Sequence, residues 1–474
     1  MRHPVDSLGW EMINRKWPHF ASDPRSIRLG LATDGFNPFK DLSSKYRPKQ
    51  PGNDIDVYLA SLINDLILLW SDVVEMYDAV AKSTFNLKDI LMWTIHGFPA
   101  YKNVSGWPVK GKIACPICRE HTCSVWLSHC RKLSYMGHRR FLALSHPFRV
   151  KRSWFDGHIE NGIRPKIKTG EEDSSEVDKI YLMAQVMFDL QTLLIRHNLD
   201  VMHVEKNICE SIINTLLNVK GKSKDGINCR KDLEAMNIRH DLHPESRGNK
   251  FYLLAAPHTL SKAEKQMFCK RLATLRLPDG YGSNIANCIS VEEFKIVGLK
   301  AHDCHLLMQQ LLSVALRRLL PKGPRNSIFK LCSFFNEICQ GVVDRNKVEI
   351  LEEDVSETLC MLERYFLPSF FDIIVYLTIH IGREVRLCGP IQYRWMYPFE
   401  RYMKVLKGYV MNHARPKGCI AERYIVEENV MFCSKYIKQA SAIGSKTASN
   451  EEYESDFLVA GRPISKGKPL VLSD

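Results

Sequence analysis

The chain has 474 residues, of which 45% are hydrophobic and 25% are charged, so it can bury a globular core and fits about two to four domains. Its net charge of +13 favours a polyanionic partner such as nucleic acid. Fifteen scattered cysteines and an opening without an apolar segment argue against a secreted protein and predict reduced thiols inside a cell. The longest apolar run, 370–381, is too short to cross a bilayer, so no membrane partner is expected.

The first predicted element is a strand at 27–34. Apolar residues alternate with small ones up to Asp34, after which Gly35, Asn37 and Pro38 break the pattern. A carboxylate at the end of a rigid strand is fixed in position, and divalent metals bind such oxygens, so Asp34 is a candidate metal ligand. The alternative is an ordinary Asp-Gly turn in which the Asp side chain bonds its own backbone.

A helix is predicted at 54–79 and a second buried strand at 87–95, and the order strand, helix, strand indicates an α/β layer. A further helix begins near Trp395, with Pro398 and Glu400 in its first turn. Apolar spacing and proline breaks predict more helices in the second half, at 261–275, 302–320, 325–343, 346–366 and 368–381.

A cluster of potential metal ligands lies between these regions. Cys115-Pro-Ile-Cys118 is followed by other cysteines and histidines, namely His121, Cys123, His129, Cys130 and His138. A Cys-x-x-Cys pair with later Cys and His fits a tetrahedral zinc site, with Cys115, Cys118 and His138 as candidate ligands. Without a second Cys-x-x-Cys the fourth ligand stays open, and a loop with free thiols is the alternative.

Cations alternate with aromatic rings directly after the cysteines, over 138–155. Guanidinium groups can neutralise phosphate and rings can stack on bases, so the segment is a candidate nucleic-acid contact. The alternative is a solvated basic face with its rings turned inward. The candidate contact residues are Arg139, Arg140, Arg149, Lys151, Arg152 and Trp154.

Two further segments place Asp and His at the start of a helix. Asp200 and His203 are three residues apart and share a helix face, which suits a metal or an Asp–His pair. The alternative is that Asp200 caps the helix and His203 is buried. His302-Asp303-Cys304-His305 poses the same choice, with Asp303 favoured as a cap.

Nine motifs in this order resemble the plant CACTA (En/Spm-type) transposases, from about residue 1 to about residue 440. They are Asp34-Gly-Phe-Asn-Pro-Phe, Asp54-Ile-Asp-Val-Tyr-Leu, Trp93-Thr-Ile with Phe98-Pro-Ala, Ser105-Gly-Trp, Cys115-Pro-x-Cys118, Tyr135-Met-Gly-His-Arg-Arg-Phe-Leu, His197-Asn-Leu-Asp-Val-Met-His203, Gly298-Leu-Lys-Ala-His-Asp-Cys-His and Met396-Tyr-Pro-Phe-Glu-Arg.

The resemblance implies an RNase H-like transposase with an acidic (DDE-type) triad. Asp34 matches the first carboxylate, Glu400 best matches the final glutamate, and Asp200 with His203 lies in a helical insertion. Such carboxylates would bind two Mg²⁺ ions for in-line phosphodiester attack. The resemblance further implies DNA at transposon ends as the partner, a nuclear location and a homo-oligomer as the candidate assembly.

Three departures from the family set the expectation of an inactive copy. The family's second strand ends in Asp, whereas this chain has His96 and Gly97, and imidazole is a poor ligand for Mg²⁺. Only Lys40 to Gln50 stand where the family has two more strands, and the chain is expected to start inside the family's catalytic region. Asp200 is the motif candidate for the missing carboxylate. The competing hypothesis is a non-catalytic nucleic-acid- or protein-binding remnant.

The predicted fold class is therefore α/β plus α. It comprises an incomplete RNase H-like core with the Cys/His segment at 1–160, an inserted mainly helical region at 161–295, a helical region carrying Glu400 at 296–442 and a flexible tail at 443–474.

Overall fold

A computed structural model of the chain describes residues 1–33, 55–71, 74–167, 194–195, 197–276 and 284–436. The helices in these ranges are α1 (Leu8–Lys16), α2 (Pro18–Ser22), α3 (Ile55–Ser71), α4 (Phe98–Ser105), α5 (Val201–Leu216), α6 (Ile227–Ala235), α7 (Lys262–Thr274), α8 (Ala301–Leu306), α9 (Leu312–Ala315), α10 (Lys322–Ile338), α11 (Arg345–Tyr365), α12 (Ile373–Cys388), α13 (Tyr397–Gly408) and α14 (Pro416–Tyr436). The strands are β1 (Ile27–Thr33), β2 (Val74–Asp78), β3 (Ser83–Leu87), β4 (Asp89–His96), β5 (Val125–Leu127), β6 (Lys132–Ser134), β7 (His197–Leu199), β8 (Glu245–Arg247), β9 (Lys250–Tyr252), β10 (Ile289–Ser290) and β11 (Lys295–Ile296).

A three-stranded parallel sheet in the order β1-β4-β7 forms the α/β part of the described chain. All eight residues of the central strand β4 are buried, as expected for a parallel strand covered on both faces. Helix α3 lies between β1 and β4 in the sequence, followed by β2 and β3, and it packs against β4. The other described sheets are two-stranded antiparallel hairpins.

The helix predicted at 54–79 is too long. Helix α3 ends at Ser71, and Val74–Asp78 pairs as β2 with β3 in an antiparallel hairpin. The Asp78 carboxylate closes the turn, because it accepts hydrogen bonds from the backbone N–H groups of Val80 and Ala81 at 2.9 and 3.0 Å. Apolar residues spaced at three and four positions fit the start of the segment, and the local turn decides its end.

Four of the five helices predicted in the second half agree with the structure to within five residues at each end. The fifth, predicted at 368–381, is shifted to Ile373–Cys388. Pro368–Phe370 forms a separate single turn, and Asp372 caps the helix by accepting from the N–H of Val375 at 3.2 Å. The predicted helix at 302–320 contains a π-helical turn, Leu307–Leu311, between α8 and α9.

One hydrophobic core connects regions that the sequence placed in separate domains. It reaches from Phe98 to Ile391 and includes side chains of α5, α10, α11 and α12. Helix α5 packs on α8 and α12, and α11 packs on both α10 and α12. The core therefore crosses the boundaries predicted at 160/161 and 295/296.

The described residues up to Met403 belong to one compact unit, and those from Lys404 to Tyr436 belong to a second. The second unit contains the exposed helix α14. The predicted tail at 443–474 lies outside the described residues. None of the described helices is long and apolar enough to cross a membrane.

Candidate functional site

The carboxyl ends of β1, β4 and β7 lie side by side at one edge of the parallel sheet. The register places Thr33 beside His96 and His96 beside Leu199. Ligands of open parallel sheets bind at this edge, which makes it the candidate site. Asp34 is the next residue after Thr33 in the sequence, but it lies outside the described residues.

Strand β4 ends in a histidine whose two ring nitrogens both have hydrogen-bond partners. The buried His96 ring has Nδ1 at 2.5 Å from Thr33 Oγ1 and Nε2 at 2.6 Å from Thr94 Oγ1. Burial lowers the pKa of His96 to about 4, so the ring is neutral at pH 7. A neutral imidazole has one donor and one acceptor nitrogen, and two hydroxyls satisfy both. His96 therefore has no lone pair left for a metal.

Gly97, the next residue, has no side chain to offer. It caps the amino end of α4, and its carbonyl oxygen accepts hydrogen bonds from the N–H groups of Ala100 and Tyr101. The end of β4 thus serves as a helix start and supplies no side-chain oxygen at the position where the resemblance expects the second carboxylate.

Asp200 follows β7 and caps α5, as the alternative interpretation of the sequence predicted. Its side chain accepts from the N–H of Met202 at 3.2 Å and from the main chains of Met396 and His203. The half-buried His203 contacts Asp200 through its backbone, so the two side chains do not form the predicted Asp–His pair. Burial, aided by the charge of Glu400, raises the pKa of Asp200 to about 7.

Glu400 lies in the first turn of α13 and is exposed. Its charge acts on Asp200, so the fold brings together two candidate carboxylates that are far apart in the sequence. Two like charges that act on each other disfavour simultaneous ionisation, as in carboxylate pairs that share a proton or a cation.

A buried ion pair holds this side of the site in place. The Arg394 Nη1 donates to Glu384 Oε2 at 3.2 Å and to Asn198 Oδ1 at 3.0 Å, and both charged side chains are essentially inaccessible to solvent. Glu384 also accepts from the N–H of Leu199 at 3.1 Å. Helix α12, strand β7 and the segment before α13 are therefore fixed relative to one another, which sets the place of Asp200.

A partly buried carboxylate–histidine contact was not predicted from the sequence. Glu205 on α5 lies with Oε2 at 2.6 Å from His305 Nδ1, and the His305 ring packs edge-on against Trp395. Asp303, two residues before His305, contributes to the cap of α8 as predicted, because its carboxylate accepts a hydrogen bond from the N–H of Lys300 at 2.9 Å. The spacing of His302 and His305 pointed to a possible site in the sequence, but nothing marked Glu205, which lies among apolar residues of α5.

The described residues do not fit a pair of Mg²⁺ ions. Two metals in a phosphodiester-cleaving site are bridged and flanked by several carboxylates. Asp200 is buried and engaged with backbone N–H groups, and the end of β4 offers no oxygen. Neither Asp200 nor Glu400 belongs to any described group of three metal-ligating side chains.

Cys115 and Cys118 are brought together as predicted, but with a different histidine. Both sulfurs lie 3.3 Å from Nε2 of His380 on α12, and all three residues are buried. His138 is not part of this group: its Nδ1 contacts the Glu363 carboxylate, and its buried Nε2 has no hydrogen-bond partner. In the sequence His380 is a lone histidine in an apolar helix, with nothing that links it to the two cysteines.

Two of the six predicted nucleic-acid contacts lie in the core. Arg139 is 1% exposed and donates to the His158 carbonyl and to Asp156 Oδ1, at 2.9 and 2.6 Å. Arg149 is 3% exposed and donates only to backbone carbonyls. The expectation that these two bind phosphate is wrong, because their guanidinium groups close the loops around them.

The remaining predicted contacts are closer to the surface. Lys151 and Arg152 are exposed, and Arg140 is half-buried with Nη1 donating to the His121 carbonyl. The half-buried Trp154 ring is covered by the guanidinium of Arg364 at 3.5 Å, so it already has a cation on its face. The exposed part of this segment is thus smaller than its sequence suggested.

Residues 1–48 and 47–180 match the family described as "Transposase family tnp2", and residues 338–451 match a domain of unknown function, DUF4218. No curated protein matches the chain. The first match supports a transposase-derived protein, and the family suggests DNA binding. The transposase match includes β1, β4 and the Cys115–Cys118 pair, and the second match includes His380 and Glu400.

Proposed function

We propose that this transposase-derived protein descends from the CACTA (En/Spm) class, binds DNA in a plant nucleus and does not cleave phosphodiester bonds. The family match of residues 1–180 supports the descent and the DNA partner. The ordered motifs from Asp34 to Glu400 support the finer class, with a degenerate RNase H-like core.

The observation that carries the loss of cleavage is the end of β4. In a DDE-type core the second carboxylate stands on the strand next to the first. Here that strand ends in His96, whose two ring nitrogens are engaged by Thr33 and Thr94, and in Gly97. A divalent cation would find no oxygen ligand at this position, which argues against Mg²⁺ chemistry.

The break in the family match supports the same proposal. The two matched segments meet at residues 47–48, inside the stretch from Lys40 to Gln50 where the resemblance expects two further strands. Strand β1 pairs on one side only in the described sheet. A core without those strands would hold the first carboxylate less firmly, because an edge strand lacks a neighbour on one side.

A second candidate function is retained cleavage with Asp200 in the missing role. Its support is that Asp200 follows the strand next to β4 and lies within electrostatic reach of Glu400. Against it, the Asp200 carboxylate is 6% exposed and already accepts several backbone hydrogen bonds. Its pKa of about 7 further means that about half of the molecules carry it protonated at neutral pH.

The test uses the purified full chain, end-labelled duplex DNA and supercoiled plasmid, with Mg²⁺ or Mn²⁺ added. We expect DNA binding by fluorescence anisotropy and no nicking or strand transfer. Asp34→Ala and Asp200→Asn serve as matched variants that separate intrinsic activity from a contaminating nuclease. Cleavage by the wild type that both variants abolish would overturn the proposal and favour the second candidate. If the protein does not bind DNA, the proposal that DNA is its partner is wrong.

A further inference from the structure

We propose that Cys115, Cys118 and His380 bind one Zn²⁺ ion that fastens the cysteine segment to helix α12. The three side chains come from a Cys-x-x-Cys turn and from a helix about 260 residues later in the chain. Their ligand atoms all lie within 4.8 Å of one another. The proposed zinc site does not depend on DNA cleavage, because its three residues do not include the strand ends.

The distances agree with a common metal ion. Zinc binds sulfur at about 2.3 Å and imidazole nitrogen at about 2.0–2.1 Å in a tetrahedron, which separates a sulfur from a nitrogen by about 3.5 Å. The Sγ atoms of Cys115 and Cys118 are both 3.3 Å from Nε2 of His380. One imidazole nitrogen equidistant from two sulfurs is the arrangement that a shared cation requires.

Each of the two sulfurs accepts a hydrogen bond from a nearby donor. The backbone N–H of Cys118 donates to Cys115 Sγ at 3.3 Å, and the Tyr376 hydroxyl donates to Cys118 Sγ at 3.3 Å. Donors that point at ligand sulfurs are typical of the hydrogen bonds that orient metal ligands. Soft thiolates with imidazole select Zn²⁺ over Mg²⁺ or Ca²⁺, and a solvent molecule would complete the tetrahedron.

Burial makes the alternatives less favourable. The exposed fractions of Cys115, Cys118 and His380 are 0%, 2% and 2%. A hydrogen-bonded group without metal would leave two thiols, which are weak donors, to satisfy a buried imidazole. A redox-active pair normally needs an accessible thiolate, which this depth of burial denies. A zinc ion satisfies all three groups at once.

The consequence is a cross-link between distant parts of the chain. The turn that holds Cys115 and Cys118 is short, closed by the Arg119 N–H donating to the Cys115 carbonyl at 2.8 Å. Helix α12 belongs to the main hydrophobic core. Binding energy from a metal that joins two such elements becomes folding energy, because the site does not exist in the unfolded chain.

The experiment measures metal in the full-length wild type, purified without chelators, by inductively coupled plasma mass spectrometry. We expect one zinc per chain, loss of that zinc in Cys115→Ser and His380→Ala, and retention in Cys130→Ser. Cys130 is the matched control, because its sulfur lies 3.4 Å from the Cys229 sulfur without a histidine in a described metal group. Retention of zinc in both ligand variants, or its loss in the control alone, would overturn the assignment.

Because the ligand variants could unfold, the wild type provides an independent measurement. Zinc is removed with a mercurial and chelator and replaced by Co²⁺. We expect thiolate-to-cobalt charge-transfer absorption together with the d–d bands of tetrahedral cobalt, and a lower melting temperature for the metal-free form. Metal-free wild type that melts like the untreated protein and shows no thiolate–cobalt band would refute the proposal.

Discussion

Replacing Asp200 with Asn is expected to stabilise the protein at alkaline pH and not at acidic pH. The Asp200 carboxyl has an ordinary pKa of 3.8 in the unfolded chain and about 7 in the fold. Between these values the folded state holds one more proton than the unfolded state, so its stability falls as the pH rises. A shift of about 3 pKa units corresponds to about 4 kcal/mol once the pH exceeds 7.

Asparagine keeps the helix cap without the charge, because its side-chain oxygen can still accept from the N–H groups of Met202 and Met396. The wild type should therefore lose about 3 kcal/mol more than Asp200→Asn between pH 5 and pH 8. Asp200→Ala also removes the charge but loses the cap, so it should be about 1 kcal/mol less stable than Asp200→Asn at every pH. Glu400→Gln should recover part of the loss at pH 8, since the charge of Glu400 contributes to the raised pKa.

The assay is urea unfolding of wild type and variants at both pH values in the same buffer series. Parallel pH profiles of wild type and Asp200→Asn would refute the reasoning, because they would mean that Asp200 ionises normally. The same experiment with added Mg²⁺ tests whether the carboxylates of Asp200 and Glu400 bind a divalent cation. If Mg²⁺ restores the stability of the wild type at pH 8 but leaves Asp200→Asn unchanged, the carboxylates bind a divalent cation, which would count against the proposed loss of cleavage.

Three further predictions follow. Gly97→Asp alone should not produce cleavage in the plasmid assay, because His96 would remain engaged by its threonine neighbours; metal-dependent nicking by this variant would contradict it. The logarithm of the affinity for duplex DNA should fall linearly with the logarithm of the salt concentration, and Lys151→Ala should reduce that slope by about 0.9, because this exposed cation is a proposed phosphate contact. Arg149→Ala should mainly lower the stability of the fold, because its side chain is buried. A reduced slope in Arg149→Ala with an unchanged slope in Lys151→Ala would contradict both expectations. Glu384→Ala should cost about 3–5 kcal/mol in urea unfolding, because it leaves Arg394 buried without its partner; a neutral effect would show that water compensates.

Periodicity in the sequence located most of the described fold. The alternating and continuous apolar runs gave β1 and β4, and helical spacing gave α5 and α10 to α12. The exceptions have local causes, namely the turn at Asp78 that opens a hairpin and the cap at Asp372 that delays α12. The domain boundaries stay predictions, because they depend on which helices share a core, and contacts between distant segments leave no period in the sequence.

The parts of the candidate site that could be predicted are those whose role depends on residues nearby in the sequence. Asp200 was identified from its spacing to His203, and its role as a helix cap is a local property of the chain. His380 could not be identified, because its partners lie far upstream and its neighbours are apolar. Arg139 and Arg149 were predicted to contact phosphate because of their charge and their aromatic neighbours in the sequence. In the structure their guanidinium groups donate to buried carbonyls instead.

The described site separates the groups that hold the fold from the groups that catalysis would need. The buried Arg394–Glu384 pair and the Cys115–Cys118–His380 group join the sheet and cysteine segment to α12, and neither depends on a carboxylate at the end of β4. Ionised Asp200, by contrast, costs stability, as clustered catalytic charges generally do. The neutral, fully bonded His96 and the glycine that follows it place no charge at the end of β4, so they add no repulsion to that between Asp200 and Glu400. The lack of a carboxylate at the end of β4, on which the proposed loss of cleavage rests, therefore leaves in place both groups that join the scaffold.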